Sequence, residues 1–334
     1  MNKRLIHKHA MKRGAAAVLL GSLLVLAGGC GAGGDNANGS DGASNSGNAT
    51  NRSNATGGNG ATGGGAADAG KIRIVAAENF YGEVAEAVGG AYVDVTSLLT
   101  SPDADPHDYE PTPDASKAVD EASVVIFNGI GYDEWAQKLI DASGKAADKT
   151  VIRVASDVMA RKDGDNVHVW YNPDTMGKYA DYLADRLGRL DPDHKTDYAN
   201  QASDYKQSLA PLTEAVASLK QAEPLPVAVS EPVFDYMARA LNLRITDDTF
   251  KMAAEEETDP APQDIARLQD EIKGKEIAFF VNNAQATSPT VQNLVDLAGQ
   301  SGVPVVEVTE TLPAGKDYVA WMTDILGQVE AALD

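Results

Sequence analysis

Of the five histidines in the 334-residue chain, His7 and His9 fall in a basic N-terminal stretch, leaving His107, His168 and His194. His107 stands in SPDADPHDYEPTPDA, residues 101–115, a run of Pro and Asp that can form neither a regular helix nor a central strand. His168 stands in NVHVWYNP, ahead of a helical pattern that opens on a proline. Each alone reads as a loop histidine with a local hydrogen bond. Glu231 in VAVSEPVFDYM and Glu310 in VVEVTETLP both follow apolar strand patterns. Their ordinary roles would be a helix-dipole partner and a solvated loop carboxylate. Taken together, two imidazoles and two carboxylates make a closed N/O donor set. Such a set suits a divalent first-row metal ion, whose charge the carboxylates neutralise. His194, in LDPDHKTDY, reads as a solvated residue in the first turn of a polar helix and is assigned no role.

The elements that must position these residues follow an α/β pattern. From Lys71, short β-branched runs alternate with amphipathic stretches. KIRIVAA, VDVTSLL, SVVIFNG and VIRVA read as strands separated by helices, giving a first lobe over 71–172. PVAVS, LRIT, IAFFVN and VPVVEVT form a second such series over 226–334, closed by the helix DYVAWMTDILGQVEAAL. Between them, over 173–225, lie two helical patterns. One has Asn172 as N-cap and Pro173 at its first position; the other starts at Asp191 and Pro192 and runs to about Gln221, with a kink or break expected at Pro211. The expected fold is two similar α/β lobes joined by a long helix, a strut that permits only small relative lobe movements. Ligands of open α/β sheets collect outside the carboxyl ends of strands, which is where His107, His168, Glu231 and Glu310 fall, so the site is expected in the cleft between lobes.

The N-terminus reads MNKRLIHKHAMKRGAAAVLLGSLLVLAGGC: five basic residues, an apolar run from Ala15 to Ala27, then small residues up to Cys30, the only cysteine. Residues 1–29 read as an export signal, since the apolar run is shorter than the ~20 residues that span a bilayer. LAGG before Cys30 resembles a lipobox, with Ala27 where Leu is commonest, so Cys30 is the expected lipidation site. Residues 30–70, nearly all Gly, Ala, Asn, Ser and Thr, read as a flexible tether with a mean reach on the order of 35 Å. The formal net charge of −21 becomes more negative once the five basic residues of the signal are removed. A surface of that sign argues against nucleic acid and anionic lipid as partners.

The segments AAENFYGEVAEAVGG, DPHDYEPTP, VHVWYNP, SEPVFDYMARAL and VTETLP, in this order, resemble the TroA-like solute-binding lipoproteins of zinc and manganese ABC importers, the metal-binding surface antigen type. The resemblance runs over all of residues 71–334. It implies four metal ligands, His107, His168, Glu231 and Glu310, with Val167 and Asn172 standing where the family commonly has Pro and Asp. Glu310 is one methylene longer than the Asp usual in manganese members, whereas zinc members often have His at the position of Glu231. Zinc members also often carry a His- and acid-rich loop after the first ligand, and none follows His107 here.

Asn282, Asn283 and Gln285 resemble the polar loop lining the family's cleft, and Asp105 and Asp108 are candidate acceptors for the second ring nitrogen of His107. Trp135, Trp170 and Trp321 read as core or lobe-interface residues. The implied function is capture of one Zn(II) or Mn(II) at the extracytoplasmic face of a bacterial membrane and delivery to a permease and its ATPase, by a monomeric, lipid-anchored, non-catalytic receptor. Two other readings compete. A surface zinc hydrolase is disfavoured, because no HExxH helix occurs and four protein ligands leave little room for substrate. A cell-adhesion role is compatible with the tether, but no sequence patch supports it.

Overall fold

The structure is a computed structural model that describes residues 70–101, 109–256, 258–286 and 288–334. The export signal, Cys30, the tether, Asp105, His107 and Asp108 all lie outside the described residues.

In chain order the elements are β1 (Ile72–Glu78), α1 (Asn79–Gly89), β2 (Val93–Leu99), α2 (Pro113–Glu121), β3 (Val124–Phe127), α3 (Glu134–Ala142), β4 (Thr150–Arg153), α4 (Thr175–Leu190), α5 (Lys195–Ser208), α6 (Ala210–Leu219), β5 (Leu225–Val229), α7 (Asp235–Ala240), β6 (Leu243–Ile245), α8 (Asp248–Glu255), α9 (Pro262–Gly274), β7 (Phe280–Asn283), α10 (Pro289–Ser301), β8 (Val305–Val308) and α11 (Tyr318–Leu333). The strands form two four-stranded sheets of the same topology, β2-β1-β3-β4 and β6-β5-β7-β8. Every pairing is parallel. Because the crossover direction reverses between β1 and β3, and again between β5 and β7, the chain diverges there and leaves a crevice at the carboxyl ends of those strands.

The apolar strands have both faces covered, as parallel strands require. Alternate residues therefore enter different layers. In β1 and β3, Val75, Ala77, Val125 and Phe127 face α2 and α3, packing on Val119, Ala136 and Ile140. In the second lobe, Ala228 and Phe280 pack with Leu268, Ile272, Leu294 and Ala298 of α9 and α10. The opposite faces, represented by Ile74, Ala76, Val124 and Ile126 on one sheet and Val227, Val229, Val281 and Val306 on the other, belong to one continuous core. That core also contains Phe80, Trp170, Tyr179, Leu183, Leu212 and Trp321.

The connector is broken where Pro211 led us to expect it: α5 ends at Ser208, Leu209 adopts a terminal helical turn, and α6 starts at Ala210 with the proline in its first turn. α5 packs on α4 and α1, whereas α6 packs on α11, so the break is where the chain passes from one lobe to the other. The start of α4 differs from expectation. A 3₁₀ turn over Val169–Tyr171 intervenes, and the α-helix proper begins at Thr175. The reason is burial of Trp170 and Tyr171, with the Thr175 hydroxyl donating to the Val169 carbonyl at 2.6 Å. Asn172 still accepts the Asp174 N–H at 3.1 Å. His194 lies away from the cleft, with Nδ1 2.6 Å from Asp191 and its ring stacked on Tyr92.

Candidate metal centre

At the crevice of the second sheet, β5 ends in Val229, the chain bends at Ser230 and Glu231, the latter with an extended backbone, and Pro232 starts a 3₁₀ turn. Its neighbour β7 ends in Asn283, whose backbone N–H donates to the Ser230 hydroxyl at 2.8 Å. This register puts the Asn283 side chain beside Glu231. One amide nitrogen, Nδ2, donates to Glu231 Oε2 at 2.6 Å and to Glu310 Oε1 at 2.8 Å. A single carboxamide thus holds together two buried carboxylates that would otherwise repel. Gln285 fixes the Glu310 loop: its Oε1 accepts the N–H of Glu310 at 2.5 Å and of Thr311 at 3.2 Å, and its Nε2 donates to the Thr311 hydroxyl at 2.6 Å.

Asn282 requires a correction. As the preceding strand residue it points to the opposite face and donates to Glu307 at 2.8 Å, so it is not part of this group.

The first lobe contributes His168, which is completely buried. Its backbone N–H donates to Asn166 Oδ1 at 2.8 Å, and its ring Nδ1 lies 3.0 Å from the same oxygen. A backbone N–H can only donate, so the Asn166 atom is the oxygen and Nδ1 carries a ring proton; in the neutral ring the lone pair is then on Nε2. Nε2 lies 3.6 Å from Glu310 Oε2 and 4.0 Å from Glu255 Oε2. Two donors bound to one ion at about 2.0–2.2 Å lie no more than about 4.3 Å apart, so both separations are compatible with a shared ion. Among the described residues, no group of three His, Cys, Asp or Glu is assembled to hold an ion by itself.

Two residues at this place were not singled out from sequence. Asn166 orients His168, donates from Nδ2 to the Pro232 carbonyl at 2.7 Å, and receives the Tyr236 hydroxyl on its own carbonyl at 2.8 Å. It therefore ties the His168 loop to the residue that follows Glu231. Glu255 arrives at the C-terminal end of α8, inside an EEE run that marks none of its members.

The electrostatics follow from the burial. Glu231 is pushed up to about 7, first by loss of water, then by the charges of Glu310 and Glu255, against the opposing Asn283 hydrogen bond and His168. Tyr132 of the first lobe is close enough to Glu310 that, after burial, this carboxylate is the main cause holding its phenol well above the ordinary range. The aromatic wall is completed by Trp170, 5.1 Å from His168 and 5.1 Å from Phe80 between ring centroids. Trp170 and Trp321 are buried in the shared core.

The crevice of the first sheet holds a second carboxyl pair. Asp133 accepts the N–H groups of Asn128 at 2.5 Å and Gly129 at 2.8 Å, while Glu78, at the end of β1, is held well above the usual carboxylate range by burial and then by Asp133. Unfolding returns Glu78 to its ordinary value, so the folded chain holds this proton more tightly than the unfolded one. Its contribution is therefore full below the ordinary carboxylate pKa and is lost as pH rises, by up to about 1.4 kcal/mol per pH unit. We expect Glu78→Gln, neutral at every pH, to gain thermal stability over wild type at pH 8 and to lose that advantage near pH 4. Parallel melting-temperature profiles for the two proteins would refute this assignment.

Two parallel sheets of equal topology, a helical connector, and polar groups facing one another from the carboxyl ends of both sheets define a two-lobed α/β solute-binding protein. The chain belongs to the zinc-uptake complex component A family, described as periplasmic, which matches residues 74–332. It is accordingly a binding component and not an enzyme. Among its relatives is the manganese-binding lipoprotein MntA of Halalkalibacterium halodurans, 29% identical over 246 residues, covering 70% of this chain and 79% of the relative. Another is the metal ABC transporter substrate-binding lipoprotein SsaB of Streptococcus sanguinis, 24% identical over 284 residues, with 80% and 90% covered. The periplasmic zinc-binding protein TroA from Treponema pallidum shares the fold at a TM-score of 0.65 and 18% identity, over 79% of this chain and 99% of that one. The solute-binding protein FpvC of Pseudomonas aeruginosa, solved with Ni2+, does so at 0.65 and 22%, over 79% and 97%.

Proposed function

We propose that the protein captures one divalent transition-metal ion, Zn(II) or Mn(II), between its lobes and passes it to the permease and ATPase of an ABC importer at the extracytoplasmic face of the membrane. The observation that carries this reading is Asn283 gathering Glu231 and Glu310 into one carboxylate pair, with Nε2 of His168 3.6 Å from Glu310. His107 is the fourth ligand of this proposal. Residues 71–172 and 226–334 are the two lobes, and 173–225 the connector. The chain works as a monomer tethered through lipidated Cys30 by residues 30–70, after removal of residues 1–29. Both ions are compatible with a set of two imidazoles and two carboxylates. Zn(II) is bound more tightly than Mn(II) by most such sites, so affinity in vitro need not report the ion carried.

The test combines metal analysis of the purified protein with growth of a deletion strain under separate zinc and manganese limitation. One equivalent of metal per chain, with a growth defect under one limitation relieved by that metal, is the expected result. A chain that takes up neither ion would overturn the proposal. Because Asn166 sets the His168 tautomer, Asn166→Ala is expected to weaken metal binding about 10–100-fold, as loss of an outer partner does. Competition titration against a chromophoric chelator measures it, and an unchanged dissociation constant would remove Asn166 from this role.

A further inference from the structure

A cavity of about 390 Å³ lies where the first lobe, the connector and α7 meet, lined among others by Arg161, Asn172, Asp174, Thr213, Tyr236 and Arg239. Both guanidinium groups sit against the same ring: the Arg161 and Arg239 central carbons are 5.1 Å and 5.9 Å from the Tyr236 centroid. Such contacts hold a guanidinium in place without using its N–H donors. Neutralising charge would be easy to supply in a chain with 49 acidic and 28 basic residues. Yet two of the neighbouring acids pair with lysines, Asp174 with Lys178 at 3.2 Å and Asp235 with Lys251 at 2.8 Å, and Asp165 turns one oxygen to the backbone N–H of Lys162 at 2.9 Å. Among the described residues neither arginine has an ion pair, and Arg161 Nε is sealed from solvent without an acceptor.

Two guanidiniums held against one ring and lining one cavity of small-molecule size, with no ion pair of their own among the described residues, are a donor arrangement suited to a multidentate oxyanion. We propose that this pocket binds a small oxyanion with two or more charged oxygens, of the phosphate or dicarboxylate type. None of the proposed metal ligands lines it, so it stands or falls independently of metal capture.

The experiment is calorimetric titration of the full chain with inorganic phosphate and, in a separate arm, with succinate, both at constant ionic strength set by chloride. Saturable binding of at least one of the two is expected, with the stronger arm identifying the anion class. Arg239→Gln is the primary variant because Arg239 is exposed and its loss leaves the core untouched. It should weaken binding about tenfold or more, as removal of a charge-assisted donor does. Arg161→Gln, checked for its melting temperature, should do the same. No saturable heat with either anion, or affinity unchanged in Arg239→Gln, would overturn the proposal.

Discussion

Replacing His168 by alanine is expected to weaken Zn(II) and Mn(II) binding by more than about a hundredfold. The estimate is a lower bound, since loss of a residue that merely orients a ligand already costs about 10–100-fold. Here the imidazole is the first lobe's described donor, with its proton committed to Asn166 and Nε2 turned toward Glu310. Because the ring also packs on Trp170 and Tyr132, alanine will cost stability as well as affinity. His168→Gln retains much of the volume and separates the two effects: it should melt close to wild type and still bind metal poorly. His194→Ala is the control. That ring pairs with Asp191 and stacks on Tyr92 outside the cleft, so its loss should leave metal affinity within experimental error. Metal affinity within threefold of wild type in both His168 variants would remove this residue from the ligand set.

Metal affinity should also fall steeply with acidification, beginning near neutrality rather than in the usual carboxylate range. Glu231 sits at about 7 because burial removes its water and Glu310 and Glu255 add negative charge. An incoming cation binds the ionised form, so above pH 7 it meets a carboxylate and below pH 7 it must displace a proton. One proton displaced costs about tenfold in apparent affinity per pH unit, which from pH 7 to pH 5 amounts to about a hundredfold from Glu231 alone. Titrations at constant ionic strength from pH 8 to pH 5 measure the slope. Glu231→Gln should bind more weakly at pH 8 and show a shallower slope below pH 7. A wild-type affinity that stays flat across this range would exclude Glu231 as a ligand.

The parts of this molecule that were legible in its sequence are those where strand ends and composition coincide. β2, VDVTSLL, was readable to the residue because β-branched residues lie between a glycine pair and a proline-rich run. Glu231 and Glu310 were readable as site residues because each follows an apolar strand, and the carboxyl ends of parallel strands are where ligands gather. The choice between Asn282 and Asn283 was not readable. Both close the same strand, and which side chain faces the cleft is fixed by pairing with β5 and β8. Asn166 was hidden for a related reason: its value lies in the oxygen it shares between the backbone and ring of His168, a geometry without a sequence signature. Glu255 ends a short amphipathic helix, and only the placement of α8 against β5 brings it toward His168. Buried Asp247 at the start of α8 accepts the Val229 N–H at 3.3 Å, which makes that attachment.

The continuous core has a mechanical consequence. Tyr171 donates across the lobes to the Thr309 carbonyl at 2.5 Å, and Tyr318 to the Trp170 carbonyl at 2.6 Å, close beside His168 and Glu310. Swinging one lobe away would break these bonds and wet the aromatic side chains beneath them, a large free-energy cost for unloading one ion. Unloading is therefore better served by small excursions of the segments that carry the donors, with the body of the molecule acting as a single cooperative block. Calorimetry should accordingly record one unfolding transition for both lobes, and neither lobe expressed alone should fold, because each would present half of a core to water. A membrane partner would then meet nearly the same outline whether the cargo is aboard or gone, and would have to distinguish the two by local stiffness and charge at the rim of the cleft.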